Sequence, residues 1–306
     1  MEDNPCNNDR NCDANVNLEQ SGTCELNPII GHESEAEYQT VMTDSPKNVL
    51  VIGAGPAGLE AAIGAAKRGH RVSVYDKDRW AGGKYRLASV PPCKGELGAF
   101  IVWQMHELKK LNVPVILNTV VTKELVDSVK PDVIIAATGT TPVVPRKIPG
   151  WDKDIVVLGT DVLSGKANTG HNVVVIGGGH AGAETANHIA SYMKNVTIVE
   201  LQEDIAMDEV DTPRNALLAD LEKNKVRVCA STSVSEIKDH SVVVSGKFNE
   251  EIECDTVVIS IGHTPNTALA DELIQAGYDV RIIGDAVKVG LVGPAVRAGY
   301  LTARQI

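Results

Sequence analysis

Apolar positions are unevenly spread along the chain. Residues 1 to about 46 show no clear apolar periodicity, are rich in Asn, Asp and Glu, and end in the breaker run Thr43-Asp44-Ser45-Pro46. From Lys47 the pattern changes. NVLVIGAGPAGLEAAIGAAKRGHRVSVYDK reads as a buried strand, a glycine turn, an alanine-rich helix and a second strand closed by an acid. HNVVVIGGGHAGAETANHIASYMKNVTIVE repeats that grammar farther on. Each stretch is a βαβ unit of about 30 residues, and the repetition predicts a duplicated architecture.

The glycines of the two units fall in one register. Gly53, Gly55 and Gly58 form G-x-G-x-x-G, with Asp76 lying 23 residues after Gly53. Gly177, Gly179 and Gly182 do the same, with Glu200 again 23 residues after the first glycine. In this motif the first glycine permits a tight strand-to-helix turn, the second lets the backbone approach a pyrophosphate, and the third allows close packing of helix on sheet. Amide groups at the helix start then face the phosphates with the positive end of the helix dipole. Pro56 and Ala57 in the first turn, and His180 and Ala181 in the second, share that surface. His180 reads equally as a cofactor neighbour or a solvent-facing loop residue. Asp76 and Glu200 are placed to accept hydrogen bonds from an adenosine ribose, and an acid there repels the 2′-phosphate of NADP. The second unit is therefore expected to prefer NADH over NADPH.

Other strands end at positions that complete such sites. KPDVIIAATGTTPVVPRKIPG is a buried strand running into Thr138 and Gly139, and CDTVVISIGHTPN is another that ends near Gly262. In VRIIGDAVKVGLVGPAVRAGY, Gly284 and Asp285 follow a short strand and precede a helix. Asp285 is suited either to binding a sugar-alcohol chain or to capping that helix. Gly83, Lys84 and Arg86 in AGGKYR bring a glycine and two cations together, and the cations read either as cofactor-phosphate contacts or as ordinary surface charges.

Composition narrows the setting. With 306 residues, 43% apolar and 23% charged, the chain has room for about two ordinary domains. A formal charge of −11 argues against nucleic acid or an anionic membrane surface as partner. The N-terminus lacks the basic and apolar regions of a secretory signal, and no apolar run approaches the roughly 18 residues of a membrane span, so a cytoplasmic address is expected. In that compartment the six cysteines are expected as free thiols or metal ligands.

The set VIGAGPAGLEAA, AGGKYRLASVPP, AATGTTPVVPRKIPG, VVVIGGGHAGAETA and IIGDA resembles the pyridine nucleotide-disulfide oxidoreductase architecture. More narrowly, CELNP followed by GGKYRLASVPPCKGEL is similar to the C-terminal half of the 2,4-dienoyl-CoA reductase, trimethylamine dehydrogenase and NADH:flavin oxidoreductase family. The resemblance implies an α/β fold of two Rossmann-like domains, the NAD domain inserted in the FAD domain. It divides the chain into a polar extension (1–45), an FAD-binding domain (46–140 and 264–306) and a NAD-binding domain (141–263). It implies FAD and NAD as cofactors. In that family a flavin-bearing TIM barrel precedes these domains and a 4Fe–4S cluster joins the two flavins; no such barrel is present in this sequence. The paired redox cysteines of disulfide reductases are absent too, and Cys93, Cys229 and Cys254 read as structural thiols.

The family's cluster segment resembles C-x2-C-x3-C-x11-C before an Asn-Pro turn. Cys12 and Cys24 keep the last spacing and Asn27-Pro28 follows, but the earlier ligands fall on Asn8 and Pro5, and Cys6 is out of step. Cys6, Cys12 and Cys24 are candidate iron–sulfur ligands, with a cluster-free tail favoured over a bound cluster because four thiolates are not in register. The expected activity is hydride transfer from NADH to FAD and onward delivery of electrons to a small-molecule or protein acceptor. Two alternatives stand beside it. One is an electron-input subunit for an enoate or enoyl-CoA reductase whose flavin barrel is another chain, and the other a non-catalytic cofactor-binding protein or gene fragment. Hydride transfer itself requires no side-chain nucleophile or general base, so none is assigned.

Overall fold

In the strand Asn48–Ile52 four consecutive residues are buried, and they divide between two faces: Val49 and Val51 join one apolar cluster, Leu50 and Ile52 another. Such a two-sided strand belongs inside a parallel sheet covered on both faces. The computed structural model, which describes residues 24–306, builds two sheets of that kind. In chain order the elements are β1 (Asn48–Ile52), α1 (Pro56–Lys67), β2 (Arg71–Tyr75), α2 (Gly83–Ala88), α3 (Leu97–Lys110), β3 (Val115–Ile116), α4 (Lys123–Val129), β4 (Val133–Ala136) and β5 (Thr140–Pro142). There follow β6 (Val156–Leu158), α5 (Gly159–Leu163), β7 (Asn172–Ile176), α6 (His180–Ala190), β8 (Asn195–Val199), α7 (Asp211–Lys223) and β9 (Arg227–Cys229). Next come β10 (Thr232–Ile237), β11 (Ser241–Gly246), β12 (Glu250–Glu253), β13 (Thr256–Ile259) and β14 (His263–Pro265), and the chain closes with α8 (Ala268–Gln275), β15 (Val280–Ile282) and α9 (Val292–Thr302).

The chain divides into two compact units. The first comprises the described residues up to Ser89, with Glu96–Thr141 and Pro265–Ile306; the second comprises Val90–Gly95 and Pro142–Thr264. In the first, parallel strands run in the order β15-β4-β1-β2-β3, with Val51 opposite both Val74 and Ile135. In the second, the order is β6-β13-β7-β8-β9, with Val175 opposite Ile198 and Val258. The glycine-bearing strand is central in each. This is the mixed α/β, two-domain Rossmann architecture that the repeated motif implies.

The faces are covered differently. In the first unit, α1, α3 and α9 bury one face with Ala61, Ile63, Phe100, Leu108 and Val296, while Val126 and Leu273 from α4 and α8 close the other. In the second, α6 and α7 bury one face with Ala186, Ile189 and Leu221. Its other face meets the antiparallel sheet β10-β11-β12 through Val234, Ile237, Val242, Val244 and Ile252. In β10, Thr232, Val234 and Ile237 are buried; the alternation of one packed and one solvated face is interrupted after Val234, where the pairing with β11 shifts register.

Two expectations need correcting. Residues 24–45 are not a detached extension: Leu26 and Tyr38 are buried, and the Tyr300 hydroxyl donates to the Tyr38 carbonyl at 2.6 Å. A few well-spaced apolar residues suffice to strap a polar segment to a core, and they leave no periodic signal. Residues 90–95, read with the first domain, pack in the second unit, where Lys94 pairs with Glu184. Cys6 and Cys12 lie outside the described residues. Cys24 is half-buried against the first unit's core.

Candidate functional site

The first glycine turn is built by close approach. Gly53 has φ +110, a region costly for any residue with a side chain, and a Cβ on it would meet the Ala137 carbonyl. A Cβ on Gly58 would run into the Gly53 carbonyl oxygen, so the third glycine is demanded by the packing of α1 on its own strand. Gly55 differs: a Cβ there would meet nothing within 4 Å, so its backbone faces open space. Pro56 occupies the first position of α1, where a missing N–H costs nothing, and leaves the following first-turn amides unpartnered within the helix.

Other predicted residues gather around that turn. Gly83 (φ +52) approaches closely enough that its Cβ would lie 3.5 Å from the Gly55 Cα, and the Gly82 amide donates to the Ala54 carbonyl at 2.7 Å. Gly284 (φ +62) abuts Ala57. Lys84 and Asp285 form an ion pair at 2.7 Å, so Lys84 is neither a free phosphate cation nor a bare surface charge. Asp285 lies in a 3-10 turn, six residues short of the Leu291 cap of α9, and accepts from the Gly290 amide at 3.1 Å; it is not that helix's cap. The Thr138 hydroxyl donates to the Asn266 carbonyl, which orients the loop that carries Gly139 (φ +66).

Asp76 and Glu200 do more locally than the motif alone implies. Asp76 accepts from the Ala54 amide at 2.6 Å and from Asp78 at 2.8 Å; Glu200 accepts from Gly178 at 2.5 Å and from Gln202 at 2.7 Å. Each carboxylate therefore ties its strand end to its glycine turn. A carboxylate oxygen has a second lone pair, so room for a ribose hydroxyl remains.

In the second turn Gly177 (φ +101) and Gly182 repeat the two steric requirements, against the Ser260 and Gly177 carbonyls. Gly262 (φ +105) lies in open space beyond β13. The face of Gly179 is occupied. The Asp208 carboxylate lies 3.6 Å from the position of a Gly179 Cβ and accepts the His180 amide at 2.7 Å. His180 is not a solvent-facing loop residue: it starts α6, its Nε2 lies 2.9 Å from Glu184, and its Nδ1 is paired with Glu209. Ala181 is exposed beside it, and its carbonyl accepts the Thr185 hydroxyl.

Sequence reasoning missed Lys94, Glu184, Asp208 and Glu209, which gather around His180. Burial lowers the Lys94 pKa, partly offset by Glu209. Burial pushes the Glu209 carboxyl up, but His180, the Val210 amide and Lys94 together outweigh it and the net shift is downward. Glu184 did leave a signal: it stands seven residues after Gly177, where Glu60 stands after Gly53, and an acid inside an alanine-rich helix is out of place unless paired. Both acids are buried. Glu60 accepts from the Gln104 amide at 3.1 Å, and burial pushes its pKa up to about 7. Cys229 and Cys254 are buried thiols whose pKa is raised by desolvation, Cys254 to about 11. Among the described residues no group of three His, Cys, Asp or Glu could hold a metal ion.

Residues 47–285 match the model of the pyridine nucleotide-disulphide oxidoreductases. The chain belongs to that family. Its members bind FAD and NAD(P)H, and this chain is an oxidoreductase of that flavoprotein type. It is 39% identical to an NADH oxidase of Thermoanaerobacter brockii over 92% of its own length and 44% of the relative's. It is 36% identical to a cinnamate reductase of Clostridium sporogenes over 93% of its length and 43% of the relative's. A solved 2-naphthoyl-CoA reductase superposes with a TM-score of 0.91 at 32% identity, covering 95% of this chain and 44% of that one. The chain thus spans less than half the length of these relatives.

The residues present fit the family's first cofactor. The open Gly55 face admits a pyrophosphate to the start of α1, and Arg86 Nε, buried without an acceptor among the described residues, fits an oxygen-rich ligand. No helix among the described residues is long and apolar enough to cross a membrane.

Proposed function

We propose that this chain is a FAD-dependent oxidoreductase that takes hydride from NADH and passes electrons to an acceptor. The observation that carries the reading is the duplicated turn, in which two glycines of each triplet are sterically obligatory while Gly55 is left open to a ligand. FAD supplies the hydride-accepting ring. In the FAD domain (46–89, 96–140 and 264–306), Gly53, Gly55, Pro56, Ala57 and Gly58 would hold the pyrophosphate and Asp76 the adenosine ribose. Gly83, Lys84, Thr138, Gly139, Gly284 and Asp285 would line the remainder, Asp285 facing the sugar-alcohol chain. In the NAD domain (141–263), Gly177, Gly179, His180, Ala181, Gly182 and Gly262 would receive the nicotinamide nucleotide. Glu200 would bind its ribose and exclude a 2′-phosphate. These residues orient and desolvate the reactants, and no side chain is asked to move a proton in the hydride step.

A second reading is favoured by the 44% coverage of the relatives: the chain is the electron-input module of a larger reductase whose flavin barrel lies in another domain or subunit. Either version acts in the cytoplasm, without nucleic acid or membrane, on a small-molecule or protein acceptor. The polar tail with Cys6, Cys12 and Cys24 is proposed to carry no cluster, and iron with acid-labile sulfide in an anaerobic preparation would refute that. The main test is spectroscopic. The purified protein is expected to show a flavin spectrum that NADH bleaches and NADPH does not; persistence of the spectrum under both nucleotides would sink both readings.

A further inference from the structure

The loop between β8 and α7 is anchored at its base. Ile205 is buried, with its Cγ2 2.6 Å from where a Gly178 Cβ would sit, and the Ala206 amide donates to the Gly178 carbonyl at 2.7 Å. Arg214 of α7 holds the same stretch, donating to the Ile205 carbonyl at 3.0 Å and to Asp204 at 2.5 Å. The loop beyond Ala206 is carried across the start of α6 by these contacts. There Asp208 takes the His180 amide and Glu209 takes the His180 ring.

We infer that Asp208 is a carboxylate latch that occupies the phosphate position of the second nucleotide site and sets its affinity. The inference rests on the second turn being that site. Three observations meet at Asp208. Its carboxylate accepts an amide of the first helical turn, the donor type a pyrophosphate would use. It covers the Gly179 face, the counterpart of the open Gly55 face. It is exposed, whereas Ile205 and Ala206 beneath it are buried, so the side chain can rotate away while the loop base stays docked. The first turn cannot carry such a latch on the same atom, because Pro56 stands where His180 does and has no N–H. A pyrophosphate entering the second site must displace one negative charge from the helix start and then bind near it, and both effects weaken binding.

Calorimetric titration of the flavin-loaded protein, held without oxygen and with its flavin already reduced so that NADH binds without reacting, with NADH, ADP-ribose and adenosine tests this. Asp208→Asn, which keeps the shape, and Asp208→Ala, which removes the acceptor, are both expected to bind NADH and ADP-ribose about three- to tenfold more tightly than the parent, the weight of one charge at a helix terminus. Adenosine, which has no phosphate, should bind all three proteins alike. Unchanged or weaker NADH binding by both variants, with a parent that binds NADH, overturns the latch alone. A parent and variants that all fail to bind NADH overturn the reading of the second site on which the latch depends.

Discussion

The two glycine turns are the same sentence written twice, yet they end differently. Gly53, Gly55, Gly58, Glu60 and Asp76 stand in the register of Gly177, Gly179, Gly182, Glu184 and Glu200. In each, the first and third glycines are dictated by a carbonyl oxygen that leaves no room for a Cβ. The second glycine faces open space in one unit and a carboxylate in the other. The buried acid of the first helix meets an amide, Gln104; that of the second meets an ammonium, Lys94. The strand–turn–helix frame is thus local, while the character of each site depends on groups brought from far along the chain.

The largest effect should separate structural from functional glycines. Gly58→Ala and Gly182→Ala each force a methyl onto a backbone carbonyl that cannot yield, and each should destabilise its unit by about 3–5 kcal/mol. Gly55→Ala, at φ −77 with nothing nearby, should change stability by less than about 0.5 kcal/mol while the protein loses bound flavin. Thermal unfolding and the flavin-to-protein absorbance ratio check both; equal destabilisation by all three would erase the distinction.

Next in size is a pair of identical substitutions with opposite outcomes. The folded Glu60 pKa of about 7 lies above its ordinary 4.5. At pH below 4.5 the group is protonated folded and unfolded, and its contribution to stability is fully present. As pH rises toward 7 the unfolded chain releases the proton first, and stability falls by about 1.4 kcal/mol per pH unit. Glu60→Gln should therefore be more stable than the parent at pH 8, by about 2–3 kcal/mol, and indistinguishable at pH 4. Glu184→Gln removes the partner of the half-buried Lys94 ammonium and should cost about 1–2 kcal/mol at pH 8. Urea unfolding at the two pH values decides it, and a shared sign at pH 8 would show the two acids to be equivalent.

Smaller still is the effect at Glu200. Glu200→Ala should narrow the preference for NADH over NADPH by about tenfold, read from the nucleotide dependence of flavin bleaching. An unchanged preference would leave Glu200 only its backbone role at Gly178 and Gln202. The modest gain expected from Asp208→Asn completes the series, since it would make the second turn resemble the first.

Much of the frame was legible before any coordinates. A run such as NVVVI flanked by a glycine turn has few places to go other than the centre of a parallel sheet, because its residues are apolar on both faces. Gly53 and Gly177 announce positive φ for the same kind of reason: few other residues tolerate it in a tight turn. The three-stranded sheet β10–β12 escaped notice because short amphipathic strands between polar turns carry a weak signal. Residues 24–45 escaped because three buried residues, Leu26, Pro28 and Tyr38, make no period.

By itself, then, the sequence determined the α/β repeat, the steric glycines and the acids that close each second strand, since all of these are set by backbone conformation and spacing within about 30 residues. Only the tertiary structure decided the partners: Lys94 with Glu184, Lys84 with Asp285, Gln104 with Glu60, and Asp208 on the start of α6. Except for the last, these pairs join segments from separate stretches of the chain, and in every case the polar group that a buried or helix-terminal group meets depends on which helix or loop the packing delivers there.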